Sequence, residues 1–127
     1  PKKARRVVLV SGKLYYDLSA RRAEAGVKDV AIVRVEQLYP LHADRLREVV
    51  TGFGPRVEVV WAQEEPQNRG AWTFIAPRLS EILERAPTYA GRPASASPAT
   101  GSLRVHRATQ AALVDHALGI ETSKTDA

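Results

Sequence analysis

Apolar residues fall along this chain in short blocks separated by amphipathic stretches. Residues 7–10, Val-Val-Leu-Val, form a continuous apolar run, the pattern of a strand buried on both faces. Ser11 and Gly12 end the run, and Lys13 opens a helical stretch to Ala25. Ser11 or Gly12 could cap that helix, Leu14, Leu18 and Ala25 fall near one face, and Gly26 stands where a left-handed terminal residue is wanted. Residues 29–35 give a second strand, and Pro40 breaks the chain. Leu46, Val49, Val50 and Phe53 then follow the spacing of an amphipathic helix, which Gly52, Gly54 and Pro55 terminate. A third strand spans 57–62. It ends abruptly in Gln63, Glu64 and Glu65, and Pro66 should stop its ladder.

The stripe Trp72, Ile75, Leu79, Ile82 and Leu83 predicts a third helix, which either kinks or begins at Pro77. Residues 88–92 are a short extended segment, and 92–102 a loop rich in Ser, Pro, Ala and Gly. Ser102 can cap a last helix whose inner side carries Val105, Ala108, Ala112 and Leu113, ending near Gly119. The expected organisation is one domain over 1–120 with a disordered tail over 121–127. Strands alternate with helices throughout. That alternation argues for an α/β fold with a mainly parallel sheet and helices on both faces.

Length and composition narrow the class. At 127 residues the chain suits one domain with a real core. With 44% hydrophobic and 26% charged residues, its composition is globular. No apolar run approaches the roughly 20 residues that span a bilayer, which argues against a membrane partner. There is no cysteine, so disulfides and thiolate metal sites are excluded. Methionine is absent even at position 1, which suggests a fragment or processed chain. The formal net charge of +5 raises the prior for an anionic partner. Its local sources are the lead Lys2, Lys3, Arg5 and Arg6, read as a solvated, frayed terminus, and an acid-free stretch from Arg85 to Val114.

In a parallel sheet the carboxyl ends of the strands share one edge, where α/β domains place their ligands. Here those ends bring Ser11 and Lys13, Arg34, Glu36 and Gln37, and Gln63, Glu64 and Glu65 into one polar rim. The rim is read either as a ligand or partner edge or as ordinary polar loops, with a protein partner preferred over a small molecule. Ser11-Gly12-Lys13 lacks the glycine spacing of a phosphate loop. A second candidate is an anion loop holding Ser95 and Ser102 with Arg92 and Arg104, ahead of a helix amino terminus; the alternative is a loop satisfied internally. His42, His106 and His116 have no metal-ligand spacing, and no nucleophile–base set can be assembled. Glu64 and Glu65 are adjacent, so in a strand they point to opposite faces and cannot share a proton.

Four segments carry a resemblance. They are VLVSGKLYYD at 8–17, VAIVRVEQLYP at 30–40, QEEP at 63–66 with Asn68 and the Gly-Ala-Trp of 70–72, and GRPASASPATGS at 91–102. In series they resemble the carboxy-terminal domain of the thiamine-diphosphate-dependent decarboxylating subunit of 2-oxoglutarate dehydrogenase. The match runs from about Arg6 to Gly119. The resemblance implies a domain like that of transketolases: a small, mostly parallel sheet with one antiparallel strand, for which 88–92 is the candidate. It also implies a supporting role. Thiamine diphosphate and magnesium would sit between two earlier domains of the full subunit, with no cofactor on this segment and no catalytic residue here.

The implied partners are the remaining domains of the subunit, a second copy in a homodimer, and the lipoyl-carrying succinyltransferase. Acetyl-coenzyme A or a nucleotide is an implied effector near the junction with the pyrimidine-binding domain. The implied setting is bacterial cytoplasm first, mitochondrial matrix second. The alternative function, resting on the +5 charge, is a stand-alone module for a nucleotide or nucleic acid. The few aromatic residues count against nucleic acid.

Overall fold

The computed structural model describes residues 3–36, 42–92 and 103–120, with backbone alone at 103–108. The elements run β1 (Arg6–Val10), α1 (Leu14–Ala25), β2 (Val30–Arg34), α2 (Ala43–Thr51), β3 (Glu58–Pro66), α3 (Trp72–Leu83), β4 (Thr88–Arg92) and α4 (Leu103–Leu118). The strands form one sheet in the order β2-β1-β3-β4.

Side-chain alternation along each strand divides the core in two. Val7 and Leu9 of β1 join Val59 and Trp61 of β3 beneath α2 and α3, with Leu46, Val50, Ile75, Leu79 and Ile82. Val8 and Val10 join Val60 and Ala62 on the opposite face, beneath α1 and α4, with Leu14, Leu18, Val114, Ala117 and Leu118. All four residues from Val7 to Val10 are fully buried. Their unbroken apolar run is what a central strand covered on both faces requires.

Every strand pair is parallel, β3–β4 included. The expected antiparallel member, Thr88–Arg92, is therefore parallel. The cause is the 12-residue α3 between β3 and β4. A helical crossover returns the chain to the edge where β3 began, so the next strand runs the same way.

Other expectations change locally. β3 continues past Ala62 to Pro66, with an irregular register between them. A bulge is one of the few places in a sheet that tolerates proline. Lys13, rather than Ser11 or Gly12, is the N-cap of α1, and it makes no side-chain cap. Gly26 does close α1 in the left-handed conformation at φ 68°, and Val27 N–H donates to the Arg22 carbonyl at 3.1 Å. Ala25 is exposed, so the buried face of α1 holds Leu14 and Leu18. α3 begins at Trp72 and runs through Pro77. In α4, Ala112 is exposed and the inner face is Leu113, Val114, Ala117 and Leu118. The side chains of Val105 and Ala108, the Ser102 cap and the 121–127 tail lie outside the described residues.

The basic lead is not a frayed end from Ala4 onward, where Ala4 N–H donates to the Phe53 carbonyl at 3.3 Å. Arg5 Nε pairs with Asp29 at 2.7 Å. Arg6 pairs with Glu58 at 3.0 Å and donates to the carbonyls of His116 and Ala117 at 2.9 and 3.0 Å. A guanidinium at the end of α4 satisfies two terminal carbonyls and complements the helix dipole. Arg6→Ala is expected to lower unfolding free energy by about 2 kcal/mol, because charge-assisted bonds in a mostly buried setting are lost. Urea denaturation followed by circular dichroism would measure it, and an unchanged midpoint would refute it.

Candidate functional site

The strand order changes direction between β1 and β3. From β1 the chain goes to β2 on one side, then crosses to β3 and β4 on the other. At such a switch point the loops leaving two adjacent strands part and leave a crevice at their carboxyl ends. The register sets Val10 level with Ala62 and with Arg34, so Ser11, Gln63 and Val35 come out at one height. Between β1 and β3 lies a crevice of about 410 Å³ lined by Ser11, Gly12, Lys13, Gln63, Glu64 and Glu65. Gly12 and Gly70 flank it with φ of 76° and 68°, a region that suits glycine.

Gln63 forms the floor of the crevice and builds one wall. It is 5% exposed. Its Oε1 accepts from Trp61 Nε1 at 3.0 Å and from the Trp72 backbone N–H at 2.9 Å. Its Nε2 lies 3.1, 3.0 and 2.8 Å from the carbonyls of Glu65, Pro66 and Arg69. One buried amide thus ties the loop 64–71 into a fixed shape. Gln63 is a candidate ligand residue by sequence; in the fold its hydrogen-bonding capacity is taken up by Trp61, Trp72 and this loop. Glu65, Asn68 and Arg69 are exposed on the loop that it holds.

Across the α1 and α4 face, a second glutamine links four elements. Gln110 Nε2 donates to Glu64 Oε2 at 2.7 Å and to Asp17 at 3.2 Å, and its Oε1 accepts from Arg92 at 3.3 Å. Glu64 therefore faces α4, while Glu65 lies against Gly70. The two acids point to opposite faces, as their adjacency predicts. Nearby, Asp115 is 8% exposed and accepts from Arg21 Nε at 2.8 Å. Arg21, itself partly buried, is held above its ordinary pKa first by its hydrogen bond to Asp115.

At the end of β2, the Arg34 guanidinium lies 5.0 Å from the Tyr15 ring and 5.1 Å from Tyr16, and pairs with Glu36 at 3.2 Å. Tyr16 is 58% exposed. Exposed tyrosine beside a positioned arginine is the composition of interface anchors. At the β3–β4 end, the Tyr89 hydroxyl donates to the Arg92 carbonyl and lies 3.2 Å from that of Glu65. Burial raises its phenol above the usual value.

The structure thus gathers Ser11, Lys13, Gln63, Glu64 and Glu65 at one crevice, with Arg34 and Glu36 on the same edge beyond β1. Gln37, Ser95, Ser102 and the Arg104 side chain lie outside the described residues, so only Arg92 of the anion loop can be placed. Sequence reasoning missed Gln110, Asp17 and the two tyrosines. Only the helix spacing of Asp17, one turn past Lys13, hinted that it would reach the rim. Several arginines behind the positive charge are used internally: Arg22 donates to Val30, Arg47 to Ile82, and Arg85 to Pro55 and Val57 carbonyls. Among the described residues, no three His, Asp or Glu side chains are grouped as a metal site requires.

A parallel sheet with helices on both faces and a pinned loop at its switch point defines a doubly wound α/β module. The sequence matches the family described as 2-oxoglutarate dehydrogenase C-terminal over residues 1–118, and the chain belongs to that family. It is 50% identical over 123 residues to proteins named 2-oxoglutarate dehydrogenase E1 component from Brucella anthropi, Brucella ovis and Brucella canis. The alignment covers 92% of this chain and 12% of each relative.

Proposed function

We propose that this chain serves as the carboxy-terminal module of a thiamine-diphosphate-dependent 2-oxoglutarate dehydrogenase E1 subunit. That enzyme oxidatively decarboxylates 2-oxoglutarate and passes the succinyl group to a lipoyl carrier. The module's work is assembly: it presents a rigid polar edge to the remaining domains of the subunit and to a second copy. The observation that carries this reading is the loop tied by Gln63, which holds Glu65, Asn68 and Arg69 outward beside the switch-point crevice. Pre-organised loops lose little entropy on docking.

Thiamine diphosphate would need a magnesium-binding donor set, and the carboxylates described here do not form one. Glu64 is engaged by Gln110, and Asp115 by Arg21. No step is assigned to the cofactor on this chain. An effector such as acetyl-coenzyme A or a nucleotide fits this reading as a regulator at the domain junction. The proposed setting is the bacterial cytoplasm, beside the succinyltransferase.

The test is an exchange. A Brucella E1 whose own matching region is replaced by this chain should keep 2-oxoglutarate-dependent reduction of ferricyanide within about tenfold of the parent, a loss of no more than about 1.4 kcal/mol in the barrier. The same E1 lacking the region should lose activity or solubility. A folded exchange protein with no activity would overturn the proposal.

A further inference from the structure

We propose that the open edge of β2 pairs antiparallel with β2 of a second copy, so that two sheets join into one. This inference stands on the edge geometry alone and does not need the assignment above. In the β1–β2 ladder, Val35 N–H donates to the Val10 carbonyl at 2.7 Å, beside the paired residues Val10 and Arg34. In a parallel ladder each residue turns both its backbone groups to one side. Ala31, Val33 and Val35 therefore face β1, while Val30, Ile32 and Arg34 turn theirs outward. The Val30 carbonyl confirms the parity, because it accepts from Arg22 Nε at 2.6 Å instead of from β1. Among the described residues no strand pairs with β2 on its outer side. Arg22 thus covers the start of the edge and leaves Ile32 and Arg34 open.

Two features select a second copy as the occupant. Setting Val33 on a two-fold axis brings Ile32 opposite Arg34 of the other copy, and each such pair exchanges two backbone bonds. Ala31, Val33 and Val35 then meet their counterparts on the α2 face, beside a cleft of about 270 Å³ lined by Val33, Val35, Leu46 and Val49 together with Arg34, Glu36, His42 and Arg45. Along the strands themselves, at Ala31, Val33 and Val35, that seam is apolar on both copies. The same register sets Glu36 of the second copy opposite Val30, beside the Arg22 guanidinium that covers it. Glu36 and Arg22 are complementary in this register. A one-residue slip would put Arg34 on the apolar seam.

The chain contains no cysteine, so a single introduced thiol reports one contact. At a non-hydrogen-bonded antiparallel pair the Cα atoms stand about 4.5 Å apart, within disulfide range. Val33→Cys should convert most of the 127-residue chain to a covalent dimer under diamide. Thr73→Cys, on the exposed face of α3, should remain monomeric. Adding Arg34→Pro removes an outward N–H without touching the β1 ladder. It should slow cross-linking of Val33→Cys at least tenfold with the circular dichroism spectrum unchanged. Cross-linking of Val33→Cys no faster than Thr73→Cys, in folded protein, overturns the proposal. So does cross-linking that Arg34→Pro leaves as fast as before.

Discussion

Gln63→Leu is expected to cost about 4 kcal/mol of unfolding free energy, the largest effect of any single polar substitution at the rim. Leucine fills nearly the same volume, so the loss comes from hydrogen bonds and not from a cavity. Two donors, Trp61 Nε1 and the Trp72 N–H, lose their acceptor in a dry setting. The Arg69 carbonyl loses its donor, whereas that of Pro66 keeps the Arg69 N–H at 2.8 Å and that of Glu65 keeps the Tyr89 hydroxyl at 3.2 Å. A buried group left unsatisfied costs about 1–3 kcal/mol, and the loop carbonyls recover part by turning to water. Chemical denaturation gives the magnitude. Hydrogen exchange gives the place: protection of the Trp72 amide should fall while amides of β1 keep theirs relative to global stability. A loss below about 1 kcal/mol would mean that the amide does not organise the loop. Gln63→Glu is the sharper control. It keeps the acceptor for both tryptophans but sets carboxylate oxygens against carbonyls, so its penalty should shrink as acid protonates it.

Gly91→Ala should destabilise by about 3 kcal/mol, although alanine is the smallest change available. A Cβ at this position would lie 2.5 Å from the Tyr89 hydroxyl oxygen and 2.7 Å from the Gln63 carbonyl. The Tyr89 ring lies across Gly91 so that its hydroxyl can reach Arg92 and Glu65. A methyl group must therefore push the ring off both carbonyls or part β4 from β3 at the irregular stretch between Ala62 and Pro66. The two contacts separate in a double-mutant cycle. In a Tyr89→Leu background the cost of Gly91→Ala should fall but not vanish, because the Gln63 carbonyl stays in place. An undiminished cost would assign the whole effect to the backbone contact. A cost near zero in the parent would mean that the strands separate freely.

The hydrophobic pattern made the strands and helices legible because each has a simple period. Residues 7–10 lack polar interruptions and lie at the centre of the sheet; Leu46 and Val50 repeat at helical spacing and pack inward. What was not legible depends on partners distant in sequence or on burial. The direction of β4 was read from resemblance, whereas the length of α3 decides it. The end of β3 was placed at Ala62, because Glu64, Glu65 and Pro66 look like a loop. The strand runs on since its last residues extend past the buried layers and are held by the bulge. Among rim residues, the meeting of Ser11 with Gln63 followed from parallel topology. The role of Gln63 did not, since a buried amide and a solvated one are the same letter. Gly91 gave no local sign either: its φ is not left-handed, and the reason for glycine is a tyrosine ring folded over it.

The strand order has a consequence for the chain as it leaves the ribosome. No two neighbouring strands are joined by a hairpin, so every pairing waits for an intervening helix to be made. β1 is synthesised first yet sits between β2 and β3. One flank of it stays bare until Arg34 has emerged, and the other until β3 has emerged as far as Ala62. Non-local pairings of this kind form slowly, and the uncovered segment is a hazard for aggregation meanwhile. Nascent chains stalled between residues 10 and 62 should therefore be the ones that chaperones hold, with Val7–Val10 as the segment they grip.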